Sequence, residues 1–400
     1  MDWTNYWWNV SDYNTPDRDQ GMGRKVLLHD TTLRDGEQLA GVVFNEHDKV
    51  RIGLALNEYG AHRIEIMPSV SDDDFRAAKT LTGMKLKSEI VGFCRSVRED
   101  IDRCLEAGIK AIVQEIWTHP NFLGVLGWSI DDATSKMINV SNYAKKNGMH
   151  ITAFFPHSTQ LDPDYFRHIL TKVTSEGSVD AIGLADTFGV CSPEGTYRLV
   201  KKVREFTDLP LGIHPHNTLG LGTANALAGV RAGAEVVYTC VNGLGEGSGN
   251  TPLEEVALNL RLLMGIDVGV KYEKTVELCR LVESLSNLPL FANKPLAGSR
   301  VFATEAGMVI PMETKLIERG GMDLSKILAT VVGSKREFVI GKKSGKASIE
   351  YKVNQLGLPP VPGEMALKIL EMVKKRSIEQ KASISDQEFR KIVQECTKPI

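Results

Sequence analysis

Eight short apolar runs rich in β-branched residues alternate with amphipathic stretches of helical periodicity up to about residue 263. The runs follow one another at a spacing of about 30 residues, and their near-continuous hydrophobicity favours a parallel sheet that is buried on both faces. Eight strands with helices between them predict an α/β fold, the TIM (β/α)8 barrel. The predicted strands are Val26–His29, His62–Met67, Lys87–Phe93, Ala111–Ile116, His150–Phe154, Ala181–Ala185, Leu211–His214 and Val236–Cys240.

The pattern changes after the last predicted barrel helix, Lys271–Asn287. The residues that follow it are rich in types that break regular structure, which indicates a linker. We therefore predict a (β/α)8 barrel catalytic domain at 23–287. An N-terminal arm at 1–22 precedes it, and a mainly helical lid or dimerisation region at 288–400 follows it.

Beyond the linker, the sequence predicts helical pieces around Met322–Val331 and Glu364–Lys374. Ser385 is followed three residues later by Glu388, which is the spacing of a capping box and predicts a final helix. The N-terminal arm is rich in Asp, Asn and aromatic residues. Two interpretations of it stay open, namely an arm that packs on a neighbour and a disordered tail.

Composition excludes several classes of protein. The net charge is -2, and no apolar run approaches the roughly 20 residues that a membrane helix needs, so we expect neither a nucleic-acid partner nor a membrane span. The six cysteines form no Cys-x-x-Cys pair, which fits reduced thiols. The first residues lack the pattern of a secretory signal, and we expect a cytoplasmic protein.

A carboxylate and two imidazoles lie close to the ends of predicted strands and outline a metal site. His214 and His216 are separated by one residue, so both rings point to the same face of a strand and can reach one ion. Asp35 follows the first strand and supplies a hard oxygen, and Asn250 is a candidate fourth ligand. This donor set suits Zn²⁺, Mn²⁺, Mg²⁺ or Co²⁺ without choosing among them. The alternative is that these residues cap and hydrogen-bond strand ends.

Arg34 lies next to the candidate ligand Asp35. Its planar guanidinium matches a substrate carboxylate, while a bound ion would polarise a neighbouring carbonyl group. A carboxylate beside a carbonyl describes a 2-oxo acid, which we predict as substrate. A plain salt bridge is the alternative role of Arg34.

Three separated motifs resemble the signature of the DRE-TIM metallolyase family. They are Thr31–Gln38, the pair His214 and His216 with Asn217, and the loop Gly243–Asn250. That family includes isopropylmalate, homocitrate and citramalate synthases and hydroxymethylglutaryl-CoA lyase. The resemblance implies a TIM barrel, a divalent metal ion, an acyl-CoA co-substrate and a homodimer formed through the C-terminal arm.

The resemblance also implies roles for individual residues. Arg34 matches the arginine that orients the substrate, and Thr187 matches a threonine that holds the carboxylate of the 2-oxo acid. Gln38 and Glu65 match further positions around the substrate and the ion, and Arg95 matches an arginine on the third strand. The resemblance therefore implies that Gln38 and Arg95 bind the substrate and that Glu65, like Arg34, is catalytic. For Glu65 and Arg95, a buried ion pair that supports the barrel is an equal alternative.

The sequence departs from the synthase pattern at two places. The fifth strand is followed by Phe154–Gln160, with no carboxylate before Asp162, and 305–309 lacks the usual histidine. We hypothesise that His157 replaces the missing acid–base group, although a structural loop histidine is the alternative. The loop Gly243–Asn250 contains no cysteine, which disfavours the lyase branch.

Together these features predict a metal-dependent Claisen-type condensation of an acyl-CoA, with acetyl-CoA as the expected donor, and a 2-oxo acid, followed by thioester hydrolysis. The product would be a 2-substituted malate. An aldolase or lyase of related chemistry is one alternative. A non-catalytic subunit that binds a metal and a 2-oxo acid is a second.

Overall fold

The computed structural model describes residues 11–397 except for 310, 313–314 and 316–328. The chain divides into two compact units, one spanning Val10–Leu290 and one that includes Phe291–Ile400. Most of the helical piece predicted around Met322–Val331 lies outside the described residues, as do the first ten residues of the predicted N-terminal arm. Within the described ranges, no helix combines the length and the apolar character needed to cross a membrane.

Eight parallel strands close into a barrel in chain order, with β8 paired to β1, which confirms the predicted TIM barrel. Each strand end lies within two residues of its predicted position, and the largest shift is in β3, which starts and ends two residues later than predicted. The strands are β1 Leu27–Asp30, β2 Arg63–Ile66, β3 Glu89–Arg95, β4 Ala111–Glu115, β5 His150–Phe155, β6 Ala181–Asp186, β7 Leu211–Pro215 and β8 Val236–Thr239.

Local signals fix the helices of this unit. The side chain of Asn45 caps α2 in a reciprocal capping box with Asp48, and Ser129 and Asp132 do the same for α6. Residues 15–21 of the predicted arm form a short helix that packs on α10. The helices are α1 Thr15–Gly21, α2 Glu46–Tyr59, α3 Asp72–Gly83, α4 Arg98–Glu106, α5 Pro120–Leu126, α6 Ile130–Lys146, α7 Pro163–Glu176, α8 Pro193–Arg204, α9 Gly222–Ala232, α10 Leu253–Met264 and α11 Thr275–Ser286.

The barrel interior is filled in layers. Every second pair in the register of β3 and β4 is Val91 with Ala111, then Phe93 with Val113, and then Arg95 with Glu115. The first two pairs belong to the apolar core of the barrel. Since alternate residues of a strand share a face, the positions of Arg95 and Glu115 come next along this face toward the carboxyl ends of the strands. On β3 and β4, charged residues therefore follow the apolar core at the carboxyl ends of the strands.

The second unit contains two short parallel strands and a helical cluster. Ile349, Ile369 and Phe389 lie in its buried core. The Ser385 hydroxyl accepts the N–H of Glu388 at 3.2 Å, at the start of the predicted final helix. The elements are β9 Ala303–Thr304, β10 Glu337–Phe338, α12 Lys346–Gln355, α13 Gly363–Gln380 and α14 Asp386–Thr397. Helix α12 was not predicted, and the role of this unit as a lid or dimer interface remains a prediction.

Candidate active site

The loop after β1 carries Arg34 and Asp35. The backbone N–H groups of Arg34 and Gly36 both donate to the Thr31 carbonyl oxygen, each at 3.0 Å, which makes the turn tight. Gly36 is required here because a Cβ atom would lie only 2.8 Å from the Cys240 sulfur. The turn thus places two charged side chains directly after the carboxyl end of a barrel strand, where such barrels hold their active sites.

A buried lysine of helix α2, Lys49, stabilises this loop. The Lys49 side chain is 1% exposed, and its ammonium donates to the Leu33 carbonyl at 3.2 Å. It also forms ion pairs with Glu37 and Asp74. Because it binds on both sides of Arg34 along the chain, Lys49 ties the loop to α2 and α3.

Asp35, His214 and His216 come together as predicted. The Nε2 atoms of the two histidines are 3.1 Å apart. Asp35 Oδ2 lies 3.3 Å from Nε2 of His214 and 3.9 Å from Nε2 of His216. His214 is in β7, and His216 follows that strand, so the one-residue spacing turns both rings toward the same carboxylate.

Asn250 joins this group through the glycine-rich loop. Its amide nitrogen donates to Asp35 Oδ1 at 2.9 Å and to the Leu244 carbonyl at 3.0 Å, while its own oxygen has no partner among the described residues. Gly245 has φ +146°, and a Cβ there would lie 2.3 Å from the Asn250 amide nitrogen. The arrangement makes Asn250 a support of Asp35, and its role as a metal ligand stays a proposal.

Arg34 is held on three sides. Its Nη1 donates to Asp35 Oδ2 and its Nε to Glu65 Oε1, both at 2.6 Å. Its Cζ lies 4.0 Å above the centroid of the Phe93 ring. The remaining nitrogen, Nη2, is buried and finds no hydrogen-bond partner in the described part of the chain. A guanidinium whose Nη2 is unused, next to three clustered candidate metal ligands, is suited to bind a ligand anion.

Glu65 is fully buried at the end of β2 and supports Arg34. Its second oxygen, Oε2, lies 3.0 Å from Nε2 of His29. Burial alone would raise the pKa of Glu65, but Arg34 and then His29 outweigh it and lower that pKa. Glu65 thus forms a buried ion pair, as in the alternative considered from the sequence, but its partner is Arg34 and not Arg95.

The protonation states suit metal binding. Burial would raise the pKa of Asp35, but the Arg34 guanidinium and the two imidazoles hold that pKa well below its usual range. Burial, reinforced by His214, lowers the pKa of His216 to about 4. At neutral pH Asp35 is therefore ionised and His216 is neutral, which are the states in which these groups bind a divalent ion.

The donor geometry fits such an ion. An edge of an octahedron with bonds of about 2.1 Å is about 3.0 Å long. Two of the three separations among His214, His216 and Asp35, at 3.1 Å and 3.3 Å, are close to that length, and the third, 3.9 Å between Asp35 Oδ2 and His216 Nε2, is longer. Two imidazole nitrogens and one carboxylate oxygen converge in a buried site, as a site for Zn²⁺, Mn²⁺, Mg²⁺ or Co²⁺ requires.

His157 and Thr187 lie together at the ends of β5 and β6. The Thr187 hydroxyl accepts the backbone N–H of His157 at 2.8 Å, so its own proton is available to another acceptor. His157 has φ +60°, and its buried ring stacks on Phe122 at 4.5 Å. Burial, followed by the nearby His119, lowers the pKa of His157. A neutral, buried imidazole beside the proposed carboxylate donor is consistent with the hypothesis of an acid–base role.

Gln38 and Arg95 are not brought into this cluster. The Gln38 side chain is exposed and makes no hydrogen bond to another described residue, whereas its backbone N–H donates to the Asp35 carbonyl at 2.9 Å. The Arg95 side chain is 62% exposed and forms a bidentate pair with Asp100 at 2.8 and 2.9 Å. Arg95 is therefore neither the partner of Glu65 nor a contact of Asp35, and substrate contacts by Gln38 and Arg95 stay predictions.

Four residues around the cluster were not predicted from the sequence, namely His29, Phe93, Glu115 and Trp117. His29 anchors Glu65, and Phe93 underlies Arg34. Glu115 ends β4, and its Oε1 accepts the indole N–H of Trp117 at 3.1 Å. Burial raises the pKa of Glu115, and the Arg34 guanidinium opposes that rise. The available signal was position, since all four lie within two residues of the carboxyl end of a barrel strand.

Comparison with known proteins fits this geometry. The family model described as HMGL-like matches residues 25–282, which include all eight barrel strands. The chain belongs to the HMGL-like family. The resemblance noted in the three sequence motifs is thereby confirmed.

Two relatives and one solved structure illustrate the HMGL-like relationship. The chain is 32% identical over 378 residues to a homocitrate synthase of Methanothermobacter thermautotrophicus, covering 94% of this chain and 95% of the relative. It is 34% identical over 377 residues to the (R)-citramalate synthase of Methanocaldococcus jannaschii, covering 93% and 75%. The HMG-CoA lyase of Bacillus subtilis superposes with a TM-score of 0.61 at 19% identity, covering 67% of this chain and 96% of the lyase, which shows a shared fold.

Proposed function

We propose that this chain catalyses a metal-dependent Claisen-type condensation of acetyl-CoA with a 2-oxo acid, followed by thioester hydrolysis, to give a 2-substituted malate. One observation carries the proposal. The buried Nη2 of Arg34 has no partner among the described residues and lies on the guanidinium that also holds Asp35, a member of the Asp35, His214 and His216 cluster. The homocitrate and citramalate synthases among the relatives support the same class of reaction.

The ion would be held by Asp35, His214 and His216, with Asn250 fixing the carboxylate. When bound, it would polarise the carbonyl group of the 2-oxo acid. Since Asp35 stays ionised and His216 neutral at pH 7, neither residue needs to change protonation state to bind the ion.

Arg34 and Thr187 would hold the carboxylate of the 2-oxo acid. Arg34 offers the N–H groups of Nη2, and Thr187 offers its hydroxyl proton. Glu65 acts on the substrate through Arg34, because both of its oxygens are already engaged by Arg34 and His29. We therefore propose Glu65 as a positioning residue.

His157 would act as the base. Its lowered pKa leaves the ring neutral at pH 7 and able to accept a proton from the methyl carbon of the acetyl thioester. The enolate carbon then forms a bond to the carbonyl carbon of the 2-oxo acid, whose π electrons move to the oxygen. That oxygen takes up a proton, and water cleaves the thioester to release free CoA.

A thiol-release assay tests the proposal. Acetyl-CoA and Mn²⁺ are supplied with pyruvate, 2-oxoisovalerate, 2-oxoglutarate and larger 2-oxo acids, and the product is identified by mass spectrometry. We expect release with at least one acid, and its loss on chelation and in Asp35→Ala, whereas Asp72→Ala, an exposed carboxylate on α3, keeps activity. Thiol release that persists in His157→Asn would remove His157 as the base.

The same assay separates the alternatives. Cleavage of a 2-hydroxy acid or hydroxyacyl-CoA without condensation would favour the aldolase or lyase. Metal and 2-oxo acid binding with no turnover in either direction would favour a non-catalytic subunit. We also propose a homodimer formed through 288–400 and a cytoplasmic location, and size-exclusion chromatography with light scattering tests the former.

A further inference from the structure

A cavity of about 290 Å³ opens at the carboxyl ends of β3 and β4. Its volume lies just below the range for small-molecule sites, about 300–1,000 Å³, so it fits one substituent of a substrate better than a whole coenzyme. Its apolar lining comes from Val97, Ile116, Trp117, Leu126 and Trp128.

The apolar walls are incompletely covered. Trp117 is 39% exposed, Leu126 44% and Val97 36%. Side chains of this type gathered in one concave place, at the end of the barrel where the candidate metal site lies, mark a binding surface for an apolar group.

Glu115 connects the cavity to the proposed active site. It lines the cavity and lies one interior layer beyond Phe93, the ring that carries the Arg34 guanidinium. Trp117, another wall residue, lies with its ring 6.1 Å from the ring of His157. The cavity is therefore bordered by Glu115 on the side of Arg34 and by Trp117 on the side of His157, the proposed base.

The charges of the wall disfavour an anionic group. One oxygen of Glu115 accepts the Trp117 indole N–H, and its other oxygen has no hydrogen-bond partner within the described ranges. Each of the two cations that border the cavity already contacts another side chain of the protein. Arg95 is paired with Asp100, and the Lys136 ammonium lies 4.8 Å over the Trp128 ring.

We propose that this cavity receives the side chain of the 2-oxo acid, that its indole walls select a bulky branched or aromatic side chain, and that Glu115 rejects a second carboxylate. The assignment rests on the proposed function for the identity of the substrate. It narrows the acceptor to a monocarboxylic 2-oxo acid larger than pyruvate.

Binding and turnover are measured separately. Calorimetry on the full chain loaded with Mn²⁺ compares 4-methyl-2-oxopentanoate and phenylpyruvate with pyruvate and 2-oxoglutarate, and the thiol-release assay uses the same four acids. We expect the two bulky acids to bind at least about tenfold more tightly than the other two. Trp128→Ala should remove most of that preference, whereas Phe291→Ala, an exposed aromatic residue outside the barrel unit, should keep it.

Glu115→Gln tests the charge. It should improve 2-oxoglutarate binding relative to 4-methyl-2-oxopentanoate by about tenfold, whereas Glu89→Gln at the opposite end of β3 should leave the ratio unchanged. A wild-type preference for pyruvate or 2-oxoglutarate, or a ratio that Glu115→Gln does not move, overturns the proposal. Selective binding without thiol release from any acid would overturn the proposed condensation and leave the cavity assignment in place.

Discussion

Replacement of Arg34 by lysine removes the geometry of the guanidinium and keeps its charge. In the structure Arg34 donates hydrogen bonds to Glu65 through Nε and to Asp35 through Nη1, and we propose that Nη2 donates to the substrate. A lysine ammonium is a point charge that cannot donate in these three directions at once. Two charge-assisted hydrogen bonds are lost at about 1.5–3 kcal/mol each, or about 3–6 kcal/mol together. At about 1.4 kcal/mol per factor of ten, kcat/KM should fall about 10²–10⁴-fold.

The assay is steady-state thiol release with the best 2-oxo acid at saturating acetyl-CoA and Mn²⁺. Metal content and thermal unfolding are measured on the same preparations, so that a misfolded variant is recognised. Arg103→Lys is the matched control, because Arg103 is a surface arginine on α4 paired with Asp72 at 2.6 Å. A folded, metal-loaded Arg34→Lys enzyme that keeps kcat/KM within about threefold of the wild type would refute the role of the planar guanidinium.

Three further predictions concern support, loop geometry and pH. Lys49→Met leaves the buried Asp74 and the partly exposed Glu37 without their cation, so chemical denaturation should show a loss of about 3–5 kcal/mol in the free energy of unfolding, and a loss within error would contradict this. Gly245→Ala displaces Asn250, so the Kd for Mn²⁺, measured by calorimetry, should rise about tenfold, and an unchanged Kd would oppose the supporting role of that amide. Burial, then His119, lowers the pKa of His157, so the unfolded chain, with a histidine pKa of about 6.5, binds this proton more strongly. The stability that neutral His157 contributes is present above pH 6.5 and is lost as the pH falls through its folded pKa. In His157→Asn the free energy of unfolding should therefore fall less steeply with decreasing pH below pH 6.5. A pH dependence as steep as that of the variant with the exposed His168→Asn substitution would contradict this prediction.

The barrel and the clustering of Asp35, His214 and His216 could be predicted from sequence because both depend on short periodicities. Continuous apolar runs specify strands that are buried on both faces. The spacing of His214 and His216 is a strand property, because residues two apart share a face. Asp35 needed only its position after the first strand, since parallel strands bring their carboxyl ends together.

Contacts between distant side chains could not be predicted in this way. Arg95 turns toward Asp100 at the start of α4, a choice that depends on how the loop after β3 closes. A lysine in a helix such as α2 is expected to be exposed, and it is tertiary packing that buries Lys49 beneath the loop after β1. Helix α12 has a mixed polar sequence with little amphipathic pattern, so its packing against the neighbouring helix supports it.

The central claim is that Asp35, His214 and His216 bind one catalytic divalent ion. Electron paramagnetic resonance of Mn²⁺ titrated into the metal-free chain measures this directly. We expect one tightly bound ion per chain in the wild type and in the exposed-surface variant His168→Asn, its loss in His216→Asn, and a changed spectrum when the 2-oxo acid is added. Unchanged Mn²⁺ binding in His216→Asn, or a spectrum insensitive to every 2-oxo acid, would contradict the account.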